Sequence, residues 1–107
     1  MKHTQGMLRD SALQGKTILI TGGGTGLGKS MGLYFLKLGA NLVITSRKLD
    51  VLTATAKEME EETGGKVLAL SCDVRNVEEV EKMFADAVAH YGQVDAVLNN
   101  AAGNFIS

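Results

Sequence analysis

Residues 21–28 read Thr-Gly-Gly-Gly-Thr-Gly-Leu-Gly, between an apolar run, Thr17-Ile18-Leu19-Ile20, and an amphipathic helical pattern. A strand, a glycine turn and a helix start in that order make a phosphate site. Glycines let backbone N–H groups approach an anion with no Cβ in the way, and the helix N-terminus adds its partial positive charge.

The pattern continues on the C-terminal side. Leu27, Met31, Tyr34, Phe35 and Leu38 recur at helical spacing, and Gly39 is placed to end that helix as a left-handed cap. Asn41 to Thr45 is a second strand. A second helix follows, with Leu49, Leu52, Ala56 and Met59 on one face and an acidic run, Glu58 and Glu60 to Glu62, read as solvated; it ends at Gly64-Gly65. Val67 to Leu70 is a third strand. Asn76 stands three residues before Glu79 in the manner of a capping box, and Val77, Val80, Phe84, Ala87, Val88 and Tyr91 form a third apolar stripe closed by Gly92. Val94 to Leu98 is a fourth strand. Short apolar strands separated by helices predict a parallel sheet with right-handed crossovers. The expected class is α/β: the N-terminal half of a doubly wound parallel sheet, about four strands and three helices. Residues 1–15 read as an N-terminal arm and residues 16–107 as the N-terminal part of a dinucleotide-binding domain, truncated before a catalytic half. The fourth strand should lie centrally, and no residues remain to supply the strand beyond it.

Composition narrows the function classes. The chain has 107 residues, 45% of them hydrophobic, and a formal net charge of −1, which gives no reason to expect nucleic acid or an anionic membrane as partner. No apolar run approaches the ~20 residues of a membrane span. The segment 1–16 lacks the apolar region of a secretory signal and the Arg-rich, acid-poor character of a transit peptide, so a cytoplasmic location is expected. Cys72, the only cysteine, excludes an internal disulfide and reads as a buried structural thiol; His3 and His90 read as solvated, and no metal site is expected. Proline is absent where ~5% usage predicts about five. With an end at Asn104-Phe105-Ile106-Ser107, this suggests part of something longer.

Two motifs share the glycine turn. Gly23 to Ser30 matches the phosphate loop of nucleoside triphosphatases, G-x-x-x-x-G-K-[ST], with Lys29 for the β- and γ-phosphates, Ser30 for Mg²⁺ and Asp73 as a metal partner. The rival, T-G-x-x-x-G-x-G, is met by Thr21, Gly22, Gly26 and Gly28, and would present Gly22, Gly24, Thr25, Gly26, Leu27 and Gly28 to a dinucleotide diphosphate. Three further features stand at the ends of the next three strands, where an open α/β sheet binds its ligand. Strand two ends in Ser46-Arg47-Lys48, where a binder of NAD would place an acid for the ribose 2′-hydroxyl. A hydroxyl and two cations suit the 2′-phosphate of NADP(H) instead; one charge-assisted hydrogen bond is worth ~1.5–3 kcal/mol. Strand three ends in Asp73 and Val74, a carboxylate for the adenine amino group. Strand four ends in Asn99, Asn100 and Ala101, small residues beside a flat ring and ribose.

Together T-G-G-G-T-G-L-G, C-D-V and N-N-A-A-G resemble the short-chain dehydrogenase/reductase family, over nearly the whole chain from about Gly15, and with it a Rossmann fold. The triphosphatase reading accounts neither for Asn99–Gly103 nor for the basic end of strand two. Within the family, residues 46–52, Cys72 to Arg75 and 99–107 look like the NADPH-dependent 2,4-dienoyl-CoA reductases. That resemblance implies that Arg47 and Arg75 border the cofactor phosphate or a CoA moiety, and that Phe105 lines an acyl pocket. From the residues alone, Arg75 also reads as a solvated side chain and Phe105 as core. The implied chemistry is hydride transfer from NADPH to a conjugated dienoyl thioester, an acyl-CoA-type small molecule, by a parent protein that forms a homo-tetramer. The family's proton donor is a Tyr in Y-x-x-x-K, expected beyond Ser107. Tyr34 has Lys37 at the wrong spacing and Tyr91 has no following Lys, so no catalytic residue is assigned here and the chain alone is expected to be inactive. Another short-chain reductase, of 3-oxoacyl or sugar substrates, and a stand-alone nucleotide-binding module remain the alternatives.

Overall fold

The computed structural model describes residues 12–24 and 26–100. Four strands, β1 (Thr17–Thr21), β2 (Asn41–Ser46), β3 (Lys66–Ser71) and β4 (Ala96–Asn99), alternate with three helices, α1 (Gly26–Lys37), α2 (Leu49–Thr63) and α3 (Val77–Tyr91). The strands form one parallel sheet in the order β3-β2-β1-β4. This is the expected α/β class. β4 starts later than the apolar run suggests: Val94 lies outside the strand and packs among the side chains against α3.

Alternation along the strands builds two cores. Ile18, Ile20, Leu42 and Ile44 face α1 and α2, where they meet Leu36, Leu52, Ala56 and Met59. Leu19 and Val43, on the opposite face, meet Met83 and Ala87 of α3 together with Cys72. All five residues of β1 are buried, as a parallel strand covered on both faces requires. β4 is different: Val97 is 49% exposed, and no described strand pairs with its outer edge. The expectation of a strand beyond β4 therefore falls outside the described residues.

The helix stripes differ from their expected faces in an instructive way. In α1 the buried positions are Gly28, Gly32 and Leu36, while Leu27 and Tyr34 are 67% and 57% exposed. A Cβ on Gly32 would come within 2.8 Å of Met59 Cε and 2.9 Å of Leu42 Cδ2. The contact face is made of the smallest residues so that the helix backbone lies close to the sheet, and a search for apolar bulk rotates the stripe the wrong way. Leu49, Val77 and Val88 are likewise exposed, and Met83, absent from the expected stripe, is buried.

The caps follow the sequence more closely. α2 and α3 end at Gly64 and Gly92, with φ of +76° and +91°, and Gly39 after α1 has φ +97°. Asn76 caps α3 by accepting from Glu79 N–H at 3.1 Å. The reciprocal half of the box is redirected: the Glu79 carboxylate accepts from Asp73 N–H at 2.9 Å and ties down the chain leaving β3. Residues just before β1 are docked, with Leu13 N–H donating to Leu38 C=O at 2.9 Å. At the same end of the sheet the Asp95 carboxylate accepts from Thr17 N–H at 2.8 Å, a bond that holds the carboxyl below its ordinary range. No helix among the described residues is long and apolar enough to cross a membrane.

Candidate functional site

Because every strand runs the same way, their carboxyl ends share one rim. The register pairs Thr21 with both Thr45 and Asn99, and Ser46 with Ser71, so four distant stretches meet along a line. The glycine turn leaves β1 at the centre of that line. Gly22 N–H donates to Thr45 C=O at 2.7 Å, anchoring the turn to β2.

β4 anchors it from the other side. Thr21 Oγ1 donates to Asn99 Oδ1 at 2.9 Å, and Asn100 Nδ2 donates to Gly22 C=O at 3.2 Å. The two asparagines, expected from the sequence to lie beside a ligand, thus also build the turn. Gly28, in the first turn of α1, closes the same knot: a Cβ there would lie 2.3 Å from Gly22 O and 2.8 Å from Asn100 Nδ2. Gly26 plays another part. Its φ is +56° and, among the described residues, a Cβ would meet nothing within 4 Å, so these residues leave the mouth of the turn, at the N-terminus of α1, open. Backbone N–H groups of a helix start facing open space form an anion cradle. Thr25, Ala101 and Phe105 lie outside the described residues.

Beside the turn, the ends of β2 and β3 enclose a cleft of about 520 Å³, from Thr45, Ser46 and Arg47 on one wall to Cys72, Asp73, Val74 and Arg75 on the other. Ser46 Oγ accepts from Lys48 N–H at 3.2 Å. Arg47 is exposed and has no ion pair among the described residues. Arg75, by contrast, is engaged: Nε and Nη2 each lie 3.0 Å from a different carboxylate oxygen of Asp73, and Arg75 N–H adds a third bond to Oδ1 at 3.0 Å. These bonds hold the Asp73 carboxyl down to about 2. Cys72 is 1% exposed, and burial pushes its thiol up, with Glu79 and Asp73 adding to the shift. It is an inert wall of the cleft.

The Asp73 contact has a pH signature. A carboxylate whose folded pKa lies below its unfolded value of ~3.9 adds stability that is fully present above pH 4 and is lost as pH falls toward 2. Following the Asp73 carboxyl by ¹³C NMR should give a midpoint near 2, rising toward the ordinary value in Arg75→Gln. A midpoint near 4 in the wild type would show that the pair does not form.

Lys29 separates the two motif readings. Its ammonium is paired with Glu58 of α2, so that the acidic run is partly engaged rather than wholly solvated, and the side chain is held across the helix pair. Glu60 is engaged too, accepting from Val67 N–H at 2.9 Å. The partner of Lys29 was not legible from spacing, since Glu58 is 29 residues away. If the dinucleotide reading holds, Lys29→Ala should leave NADPH affinity within a few-fold, because a half-exposed surface pair contributes under ~1 kcal/mol. Mg·ATP binding that vanishes in that variant would restore the triphosphatase reading.

The short chain dehydrogenase family matches residues 16–106. The chain belongs to that family. An uncharacterized oxidoreductase of Caenorhabditis elegans is 45% identical over 92% of this chain and 32% of its own length. A probable 2,4-dienoyl-CoA reductase of the same organism is 42% identical over 94% of this chain and 33% of its own. Among solved structures, a citronellol catabolism dehydrogenase of Pseudomonas aeruginosa superposes with a TM-score of 0.79 at 36% identity, over 83% of this chain and 37% of that one. An L-sorbose reductase of Gluconobacter frateurii, complexed with NADPH and L-sorbose, gives 0.77 at 31%, over 82% of this chain and 34% of that one. The chain thus spans about a third of the length of the curated relatives it matches. The family and its dienoyl-CoA reductase relatives are those the sequence resembles.

Proposed function

We propose that this chain is the NADP(H)-binding part of a short-chain oxidoreductase that reduces a 2,4-dienoyl-CoA or a related acyl thioester. The observation that carries the cofactor assignment is Arg47, exposed on the cleft beside the open glycine turn, with no carboxylate at the end of β2. The residues on the rim fit the group. The backbone of Gly22–Gly28 would hold the diphosphate, Ser46, Arg47 and Lys48 the 2′-phosphate, and Asp73 and Val74 the adenine. Asn99 and Asn100 would hold the turn in shape next to the ribose. When bound, NADPH supplies the hydride.

The acyl thioester rests on the dienoyl-CoA reductase relative and on the likeness of residues 99–107 that the sequence carries. On this reading the proton donor lies beyond Ser107. Tyr91 ends α3 at the far end of the sheet, where its hydroxyl donates to Leu42 C=O at 3.4 Å and burial pushes its pKa up to about 12. Tyr34 is two turns, roughly 12 Å, down α1 from the rim. We expect the chain alone to show no NADPH oxidation with a 2,4-dienoyl-CoA, and the homo-tetrameric parent, cytoplasmic and acting on small molecules, to show it. Turnover by the chain alone would place the donor within these residues and overturn the division of labour. Titration with NADPH and NADH tests the cofactor: tighter binding of NADH contradicts the reading.

A further inference from the structure

Two guanidinium nitrogens of Arg75, Nε and Nη2, reach the two carboxylate oxygens of Asp73, while Arg47, on the opposite wall of the cleft, makes no ion pair among the described residues. The pair is not a loose surface contact between distant side chains. The third bond, from Arg75 N–H to Asp73 Oδ1, closes a two-residue turn, and Asp73 N–H is itself held by Glu79, so both ends of the turn are pinned ahead of α3. Bidentate geometry of this kind fixes the plane of the carboxylate as well as its charge.

We propose that Arg75 is a positioning residue for base recognition: it fixes the Asp73 carboxylate as an acceptor on the cleft wall and takes no part in holding the 2′-phosphate. This rests on the cofactor reading above and adds a division of tasks between the two arginines. An ionised carboxylate held in one orientation accepts from an exocyclic amino group, as in adenine, and repels a carbonyl oxygen at the same place, as in hypoxanthine. The low pKa of Asp73 agrees with an acceptor that stays ionised throughout the physiological range. Arg47 then acts alone among the arginines on the phosphate.

The test compares wild type, Arg75→Gln and Arg75→Lys in titrations with NADPH, NADH and the hypoxanthine analogue of NADPH. The wild type should favour the adenine form by about tenfold or more, the worth of a charge-assisted hydrogen bond. Arg75→Gln should bring that ratio near one and leave the NADPH-to-NADH ratio within about twofold. Arg75→Lys, which keeps the charge and loses the fork, should recover little base selectivity. The proposal is overturned by a fall in the NADPH-to-NADH ratio in Arg75→Gln, by full rescue in Arg75→Lys, or by a wild type that binds both bases equally. Failure of every dinucleotide to bind the wild type would instead defeat the cofactor reading, and this proposal with it.

Discussion

Gly28→Ala is expected to destabilise the fold at the upper end of the ~1–3 kcal/mol that overpacking costs, and to abolish dinucleotide binding. The added methyl would stand 2.3 Å from Gly22 O and 2.8 Å from Asn100 Nδ2. The first is backbone, held by Gly22 N–H on Thr45, and the second is the side chain that holds the turn to β4. Neither can swing aside without opening the knot. Gly26 supplies the contrast. There a Cβ meets nothing, and the cost of Gly26→Ala is the roughly 1–2 kcal/mol of a left-handed residue. Gly26→Val should still bind NADPH far more weakly, since its side chain fills the open mouth where a diphosphate would lie. Urea melts of the alanine variants, beside NADPH titration of all three, separate the roles. A Gly28→Ala chain as stable as wild type would falsify the packing of the turn.

Arg47→Asp should convert a preference for NADPH into a preference for NADH. With Arg47 on the 2′-phosphate as proposed, the change would remove a charge-assisted hydrogen bond worth ~1.5–3 kcal/mol, ten- to a hundredfold in affinity, and set a carboxylate against that phosphate. The same carboxylate accepts from a ribose 2′-hydroxyl, so NADH should gain as NADPH loses. Lys48 limits the reversal, because a second cation stays at the start of α2. The ratio of dissociation constants, measured at one ionic strength, is the readout. An unchanged ratio would move the phosphate away from the end of β2.

Strand and helix order, the glycine ends of the helices and the Asn76 cap were legible because each is written within a few neighbouring residues. Period, cap and turn chemistry are local properties. The faces of α1 and α3 were less legible. Bulk is a good guide only where a helix stands off its sheet, and Gly28 and Gly32 let α1 lie close, which exposes Leu27 and Tyr34. The candidate site was legible as residue types, a glycine turn, a basic strand end, an acid and paired asparagines. Their partners were not.

By itself, the sequence determined the α/β class, the glycine turn between β1 and α1, and the family, since those signals are contiguous. Tertiary structure alone decided the pairings across the rim. Placing β4 beside β1 brings Asn100 against Gly22, 78 residues away, so that this side chain also braces the turn. Packing α1 against α2 sets Lys29 beside Glu58, a partner 29 residues away. The turn after β3 closes Arg75 onto Asp73 and leaves Arg47 as the arginine without a counter-ion among the described residues of the cleft. Charge on a strand end is a property of composition, whereas the freedom of that charge to meet a ligand depends on which opposite charge the fold sets beside it.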